Sequence, residues 1–132
     1  MTIKTYSAFN YGHTITESNR FLDFKESVSG ALTAELNIGS YTLGQFVNEI
    51  ARAMNAVSLN ESYTTSINRS TRQITITGSS NFSLLVNSGT TIAQSVFNLA
   101  GFTGTDLTGA SSYQGNAASG SQFEPQFKLQ DY

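Results

Sequence analysis

The sequence predicts an α+β domain: an antiparallel β-sheet packed against one main α-helix at about 42–57, with a second short helix at about 91–100 and an extended C-terminal arm. Three observations carry that class. Apolar residues recur at helical spacing from Leu43 to Val57, behind a threonine able to cap them. Polar and apolar residues alternate in short runs before and after that helix, as strands with one buried face require. Beyond Phe102 the chain turns to Gly, Ser, Thr, Ala and Asn, a composition too poor in bulky side chains to build a core alone.

Residues 1–38 read as β structure. Ile3, Thr5, Phe21, Leu22 and Phe24 fall in short runs, and the clearest strand is Ala31 to Ile38, with Leu32, Ala34, Leu36 and Ile38 on one face. Turn residues NYGH at 10–13 and SVSG at 27–30 separate these strands. In the main helix, Thr42 and Gln45 stand in capping-box register. Leu43, Phe46, Val47, Ile50, Ala51, Met54 and Val57 form the buried stripe; Asn48, Glu49, Arg52 and Asn55 lie opposite, with Glu49 and Arg52 spaced to pair. Gly44, in the first turn, marks a point of close packing if it has a role at all.

A hairpin follows, in which SYTTSI and RQITITG flank turn residues Asn68 to Thr71, and Asn81 to Val86 makes a third strand. The short helix has Thr91 and Gln94 in capping-box register, Gly101 where a left-handed terminator belongs, and Phe102 placed to fold back. It should turn Ile92, Val96, Phe97 and Leu99 inward. The organisation expected is one domain over 1–117 and an arm or strand over 118–132, where Phe123, Phe127, Leu129 and Tyr132 alternate around Pro125.

At 132 residues, with 39% apolar residues, the chain has enough to bury a core without disulfides or metal. It has no cysteine, so thiolate metal sites are excluded. Its apolar runs are too short for a membrane span, and MTIKTYSAFNYGH lacks the apolar core of an export signal. Synthesis in the cytoplasm and no membrane partner are the expectations. The seven basic residues are scattered and the net charge is −2, which argues against nucleic acid. Charged residues make up 12%, about half of the ~25% usual in soluble domains. With one proline and only Lys4, Lys25 and Lys128, the chain lacks the usual means of blunting strand edges, which suggests surface covered by neighbouring subunits.

No constellation reads as a reaction centre. His13 has no nearby partner that would make it a ligand or base. Asp23 and Glu26 flank Lys25, with Glu17 upstream, but spacing alone does not put two carboxylates in one pocket. There is no G-x-S-x-G, and Gly101, Gly104 and Gly109 follow a helix instead of preceding one, unlike a phosphate loop. Asp106 with Thr105 and Thr108 offers a cation only one carboxylate. Matches to the glycosylation pattern at Asn60, Asn68 and Asn81 are expected by chance in a chain rich in Asn and Ser. Tyr6, Tyr11, Tyr41, Tyr63, Tyr113 and Tyr132 are the residues that stacking on a sugar would use. The expectation is no catalytic residue, no cofactor and no metal.

The order ITESNRFLDFKE, ALTAELNIGSYT, LGQFVNEIARAMNAV, YTTSINRSTRQITITG, LLVNSG and LAGFTGTDLTGASSYQG resembles a recurring module in small structural proteins of tailed bacteriophages. The resemblance spans roughly residues 14–115. It implies packing and assembly, and carries over no site residues. The expected function is therefore a non-enzymatic virion protein of the tail, fibre-attachment or baseplate region, assembling with itself and with neighbouring virion proteins. A capsid decoration protein is the alternative within this class, and a module binding host glycans the alternative outside it. Expected intersubunit contacts are Ile3, Tyr6 and Phe9 at one end and Phe123, Phe127, Leu129 and Tyr132 at the other.

Overall fold

The computed structural model describes residues 12–120, which form a five-stranded antiparallel sheet, a two-stranded sheet, one long helix and a short helical segment. The chain runs β1 (His13–Ile15), β2 (Phe21–Glu26), β3 (Gly30–Glu35), β4 (Gly39–Tyr41), α1 (Leu43–Val57), β5 (Tyr63–Asn68) and β6 (Gln73–Leu84). A 3-10 turn (Ile92–Gln94), α2 (Phe97–Ala100) and β7 (Leu107–Gln114) complete it.

Local chemistry sets several of these boundaries. Thr42 caps α1 in both directions: its hydroxyl accepts from the Gln45 amide at 3.3 Å, and the Gln45 side chain accepts from the Thr42 amide at 3.0 Å. Such a box satisfies two of the donors that a helix start leaves without partners. In the β5–β6 turn, Asn68 Oδ1 accepts from the amides of Ser70 and Thr71, and Arg72 then takes a left-handed conformation with φ of 62°. β2 and β3 join through residues 27–29, with Glu26 opposite Gly30.

β6 is the spine of the main sheet. Its first half pairs with β5 (Asn68 opposite Gln73, Tyr63 opposite Gly78), and its second half pairs on that same edge with β2 (Glu26 opposite Phe82, Phe24 opposite Leu84). β7 runs along the other edge, from Gln114 opposite Thr75 to Leu107 opposite Leu84, with register shifts between. β3 lies outside β2, and β1 pairs with β4 as a separate ribbon.

α1 packs on this sheet with Phe46, Val47, Ile50, Ala53 and Met54 buried. Inside, edge-on ring contacts run from Phe24 to Tyr63, Phe82 and Tyr113, with centroids 5.1–5.3 Å apart. Tyr113 reaches this interior with a satisfied hydroxyl: it donates to the Phe82 carbonyl and accepts from the Ala110 amide.

The main helix, the hairpin around Asn68 and the left-handed Gly101 stand where the sequence puts them. Phe102 does fold back, its amide bonded to the Phe97 carbonyl at 2.9 Å and its ring against Phe97. Other expectations need correction. The strand expected at 81–86 is not separate but the second half of β6, which runs on through Ser79 to Asn81 and pairs again from Phe82. The strand expected to Ile38 ends at Glu35, and Ile38 is exposed as the chain turns into β4. The second helical segment is split by Ser95 and Val96, since the Val96 amide is drawn to the Phe21 carbonyl at the edge of β2. Thr91 does not cap it, being engaged by Asp23, and Ile92 is exposed. On α1 the buried stripe includes Ala53 and Glu49, while Ala51 is half-buried. A methyl group at Gly44 would meet only the end of Arg69, at an ordinary 3.7 Å. The small-residue stretch is not a loose tail over its first part, because β6 supplies the backbone partners that β7 needs.

Gly78 sits beneath the aromatic row. A methyl group there would lie 2.8 Å from Phe82 Cδ1 and 3.1 Å from Tyr63 Cε1, against rings that have no room to turn aside. Gly78→Ala is expected to destabilise the fold by about 1–3 kcal/mol, read as a lower urea midpoint with an unchanged m-value.

Candidate functional site

The most connected polar position is Glu26, at the end of β2 and fully buried. Oε1 accepts from Ser29 Oγ at 3.1 Å, the Leu59 amide at 3.2 Å and the Asn60 amide at 3.1 Å. Oε2 accepts from Ser58 Oγ at 2.6 Å and Tyr63 Oη at 2.9 Å. Burial alone would raise the carboxyl pKa, but the bonds from Ser58, Tyr63, the Leu59 amide and Ser29 outweigh it and hold the group below its ordinary range. The same arrangement raises Tyr63, through burial first and then the adjacent carboxylate. Five donors around two oxygens make an anchor for the β2–β3 turn, the end of α1 and the start of β5. They leave no lone pair aimed at a substrate.

Asp23 lies on the other side of the same strand. Thr33 Oγ1 donates to Oδ1 at 2.6 Å, and the amide and hydroxyl of Thr91 donate to Oδ2 at 2.9 and 2.7 Å. The spacing of three between Asp23 and Glu26 puts them on opposite faces of an extended strand, so the structure does not bring this candidate pair together. Glu17 is exposed, away from both. Asp106 is bonded by the Asn87 and Ser88 amides at 2.7 and 3.1 Å and by the Ser88 hydroxyl. That hydroxyl, opposed by burial and aided by the two amides, lowers its pKa. It closes a loop, with Thr105 and Thr108 outside the arrangement.

Glu49 departs most from its expected exposure. Arg52 Nε and Nη2 bond its two oxygens at 2.8 and 2.7 Å, and the Asn37 amide bonds Oε2 at 2.7 Å. Burial pushes its pKa up, but Arg52 and Asn37 prevail and lower it. Asn55, also expected on the outer side, clamps the backbone of Tyr63, donating to its carbonyl at 3.0 Å and accepting from its amide at 2.9 Å. With Thr65 Oγ1 bonded to the Val47 carbonyl at 2.8 Å, these contacts cover the outer edge of β5 with α1.

His13, expected in a turn, opens β1 and is buried, stacked on Phe46 with centroids 4.5 Å apart. Its Nε2 lies 2.8 Å from Ser119 Oγ. Burial, and secondarily the Arg72 charge, lower its pKa from 6.5 to about 4. Ala117, Ser119 and Gly120 are tied to the body through bonds to Gly101, Arg72 and Leu99.

Among the described residues two clefts stand out. One, of about 200 Å³, is lined by Lys25, Glu26, Ser27, Asn81, Phe82, Ser83 and Gly109. The other, of about 580 Å³, is lined by Asn19, Ser95, Asn98, Leu99, Thr103, Ala117 and Ala118, and has no aromatic face to stack a sugar. Tyr63 and Tyr113 are buried with engaged hydroxyls, and Tyr41 donates to the Asn37 carbonyl. Gly104 and Gly109 are exposed, as are Asn60, Asn68 and Asn81. No group of three or more His, Cys, Asp or Glu among the described residues is placed to hold a metal ion. No helix among them is long and apolar enough to cross a membrane.

The expected intersubunit residues Ile3, Tyr6, Phe9, Phe123, Phe127, Leu129 and Tyr132 lie outside the described residues, as do Tyr11 and Tyr132 of the tyrosine set. What reading the sequence missed is the outer edges of β3 and β7, which pair with no other strand among the described residues. Compared with known proteins, the chain matches no family model and no curated relative.

Glu26→Gln places an amide where five donors converge, and is expected to cost about 2–4 kcal/mol in chemical denaturation. Because the folded carboxyl lies below its ordinary value of 4.5, its contribution is present above that value. It is lost as pH falls through the lower folded pKa. Stability of the parent should therefore drop on acidification below about 4.5, and the Gln variant should show a shallower drop over the same range.

Proposed function

We propose that this chain is a non-enzymatic structural protein of a tailed-bacteriophage virion, a tail, fibre-attachment or baseplate component. It acts by assembling with copies of itself and with neighbouring virion proteins. The observation that carries this reading is the pair of open edges. β3 (GALTAE) and β7 (LTGASSYQ) each pair on one side only among the described residues, and between them carry a single charged side chain, Glu35. That carboxylate is itself bonded to Arg20 at 2.6 Å. Edges of this kind, without lysine, proline or inward charge, favour addition of a strand from another chain.

The buried carboxylates support the same reading by their occupation: Asp23, Glu26 and Glu49 each face fixed donors that tie loops together. A capsid decoration protein remains the alternative within the class, since edge pairing serves either position in a particle. The glycan-binding alternative loses the support of Tyr63 and Tyr113, whose rings pack in the core.

Light scattering of the full chain after size-exclusion chromatography is expected to give the mass of a closed oligomer; a monomer at high concentration would sink the reading. Thr108→Lys, on the exposed part of β7, should raise the concentration needed for assembly on the order of tenfold, about 1.4 kcal/mol, without changing the monomer's melting. Phe127→Asp tests the terminal contact in the same assay.

A further inference from the structure

Ser119 belongs to a strap, residues 115–120, that crosses the body after β7. Its backbone is bonded at each step: Gly115 to the Ile74 carbonyl, Ala117 to Gly101, Ser119 to Arg72 and Gly120 to Leu99, at 2.8–3.0 Å. Arg72 returns the contact, Nη2 donating to the Ser119 carbonyl at 3.2 Å. The side chain of Ser119 points inward, fully buried, between His13 and the Leu99 carbonyl.

One tautomer of the imidazole satisfies both contacts of the Ser119 hydroxyl. The Ser119 hydroxyl has one hydrogen, and the Leu99 carbonyl, 3.1 Å away, can only accept it. Toward His13 the oxygen therefore accepts, and Nε2 carries the ring's proton. Nδ1 is left as a bare lone pair, buried and with no hydrogen-bond partner. A second proton would have to sit on Nδ1, where nothing accepts it, in a ring stacked on Phe46.

Among the described residues no neighbouring acid offsets that charge. The charge acting on His13 is Arg72, of its own sign. Opposite it in β4 stands Tyr41, whose hydroxyl is turned to Asn37, and on α1 the ionised pair Glu49 and Arg52 is closed on itself. Neither α2 (FNLA) nor the strap (GNAASG) carries a titratable side chain.

We infer that His13 and Ser119 form an acid-operated clasp, which holds the strap against β1 while the imidazole is neutral and releases it when Nδ1 is protonated. The low pKa of the ring, about 4, agrees with the geometry and sets the range in which the clasp opens. The sign follows from linkage: an open clasp binds the proton at the ordinary value of 6.5, so acidification between 6.5 and 4 favours opening.

His13 is the chain's single histidine, so its ring gives one unambiguous NMR signal. In the full chain its Cε1–H resonance is expected to titrate near pH 4. Protection of the Ser119 and Gly120 amides should fall by roughly two orders of magnitude between pH 6.5 and 3.5, while Ile74 and Ile76 amides in β6 keep theirs. A midpoint near 6.5, or strap amides unmoved through the titration, would overturn the inference. His13→Gln keeps a neutral N–H donor and cannot take the second proton; its strap amides should stay protected at pH 3.5. If they lose protection as in the parent, carboxylates and not His13 operate the strap. Should that variant fail to fold, the parent's ring and amide titrations decide alone, by whether they share one midpoint.

Discussion

One strand, Gln73–Leu84, pairs on both edges in each of its halves, and β2, β5 and β7 take their places from it. β5 and β2 lie end to end on one edge, and β7 runs the length of the other. A strand shared in this way must be buried on both edges and filled on at least one face, which its alternation of Ile74, Ile76, Phe82 and Leu84 allows. Gly78 marks the join between its halves, where the Phe82 ring lies over the backbone and no side chain can intervene. α1, anchored to β5 through Asn55 and Thr65, then covers the sheet with its apolar stripe.

The charge-poor composition and the buried acids are two sides of one solution. Asp23, Glu26 and the half-buried Asp106 are held by hydroxyls and backbone amides, and only Glu49 is met by a cation on its own helix. A carboxylate with several good donors can stay ionised out of water, whereas one without them would take up a proton. The serines and threonines that replace lysine and arginine in this sequence thus do structural work inside the body. Each such acid fixes a loop: Glu26 the turn after β2 and the end of α1, Asp23 the stretch around Thr91, Asp106 the stretch after β6. Rigid loops of this kind suit a part whose task is to present fixed surfaces.

Those surfaces are edges more than pockets. The outer backbone of β7 has no charged residue along it, and that of β3 has one, already paired. Strand addition demands backbone geometry and little else, so an interface built on it leaves almost no residue signature.

The sequence by itself determined the elements whose signals are local: the Thr42–Gln45 box and stripe of α1, the hairpin around Asn68, the terminator Gly101 and the returning Phe102. It misjudged what depends on partners far along the chain. Glu26 and Tyr63 are 37 residues apart and His13 and Ser119 are 106 apart, so neither contact leaves a spacing to read. Whether Phe82 to Leu84 would stand as a separate strand or extend β6 depended on β2 and β7 arriving to pair with them, and the small-residue stretch became a strand through the same pairing. Asn55 and Glu49 looked outward by helical period, yet turned to a strand edge and a loop that only the tertiary structure brings beside them. Periodicity reports which face of an element is apolar; which polar groups meet across the fold is decided by the need to satisfy each one that packing removes from water.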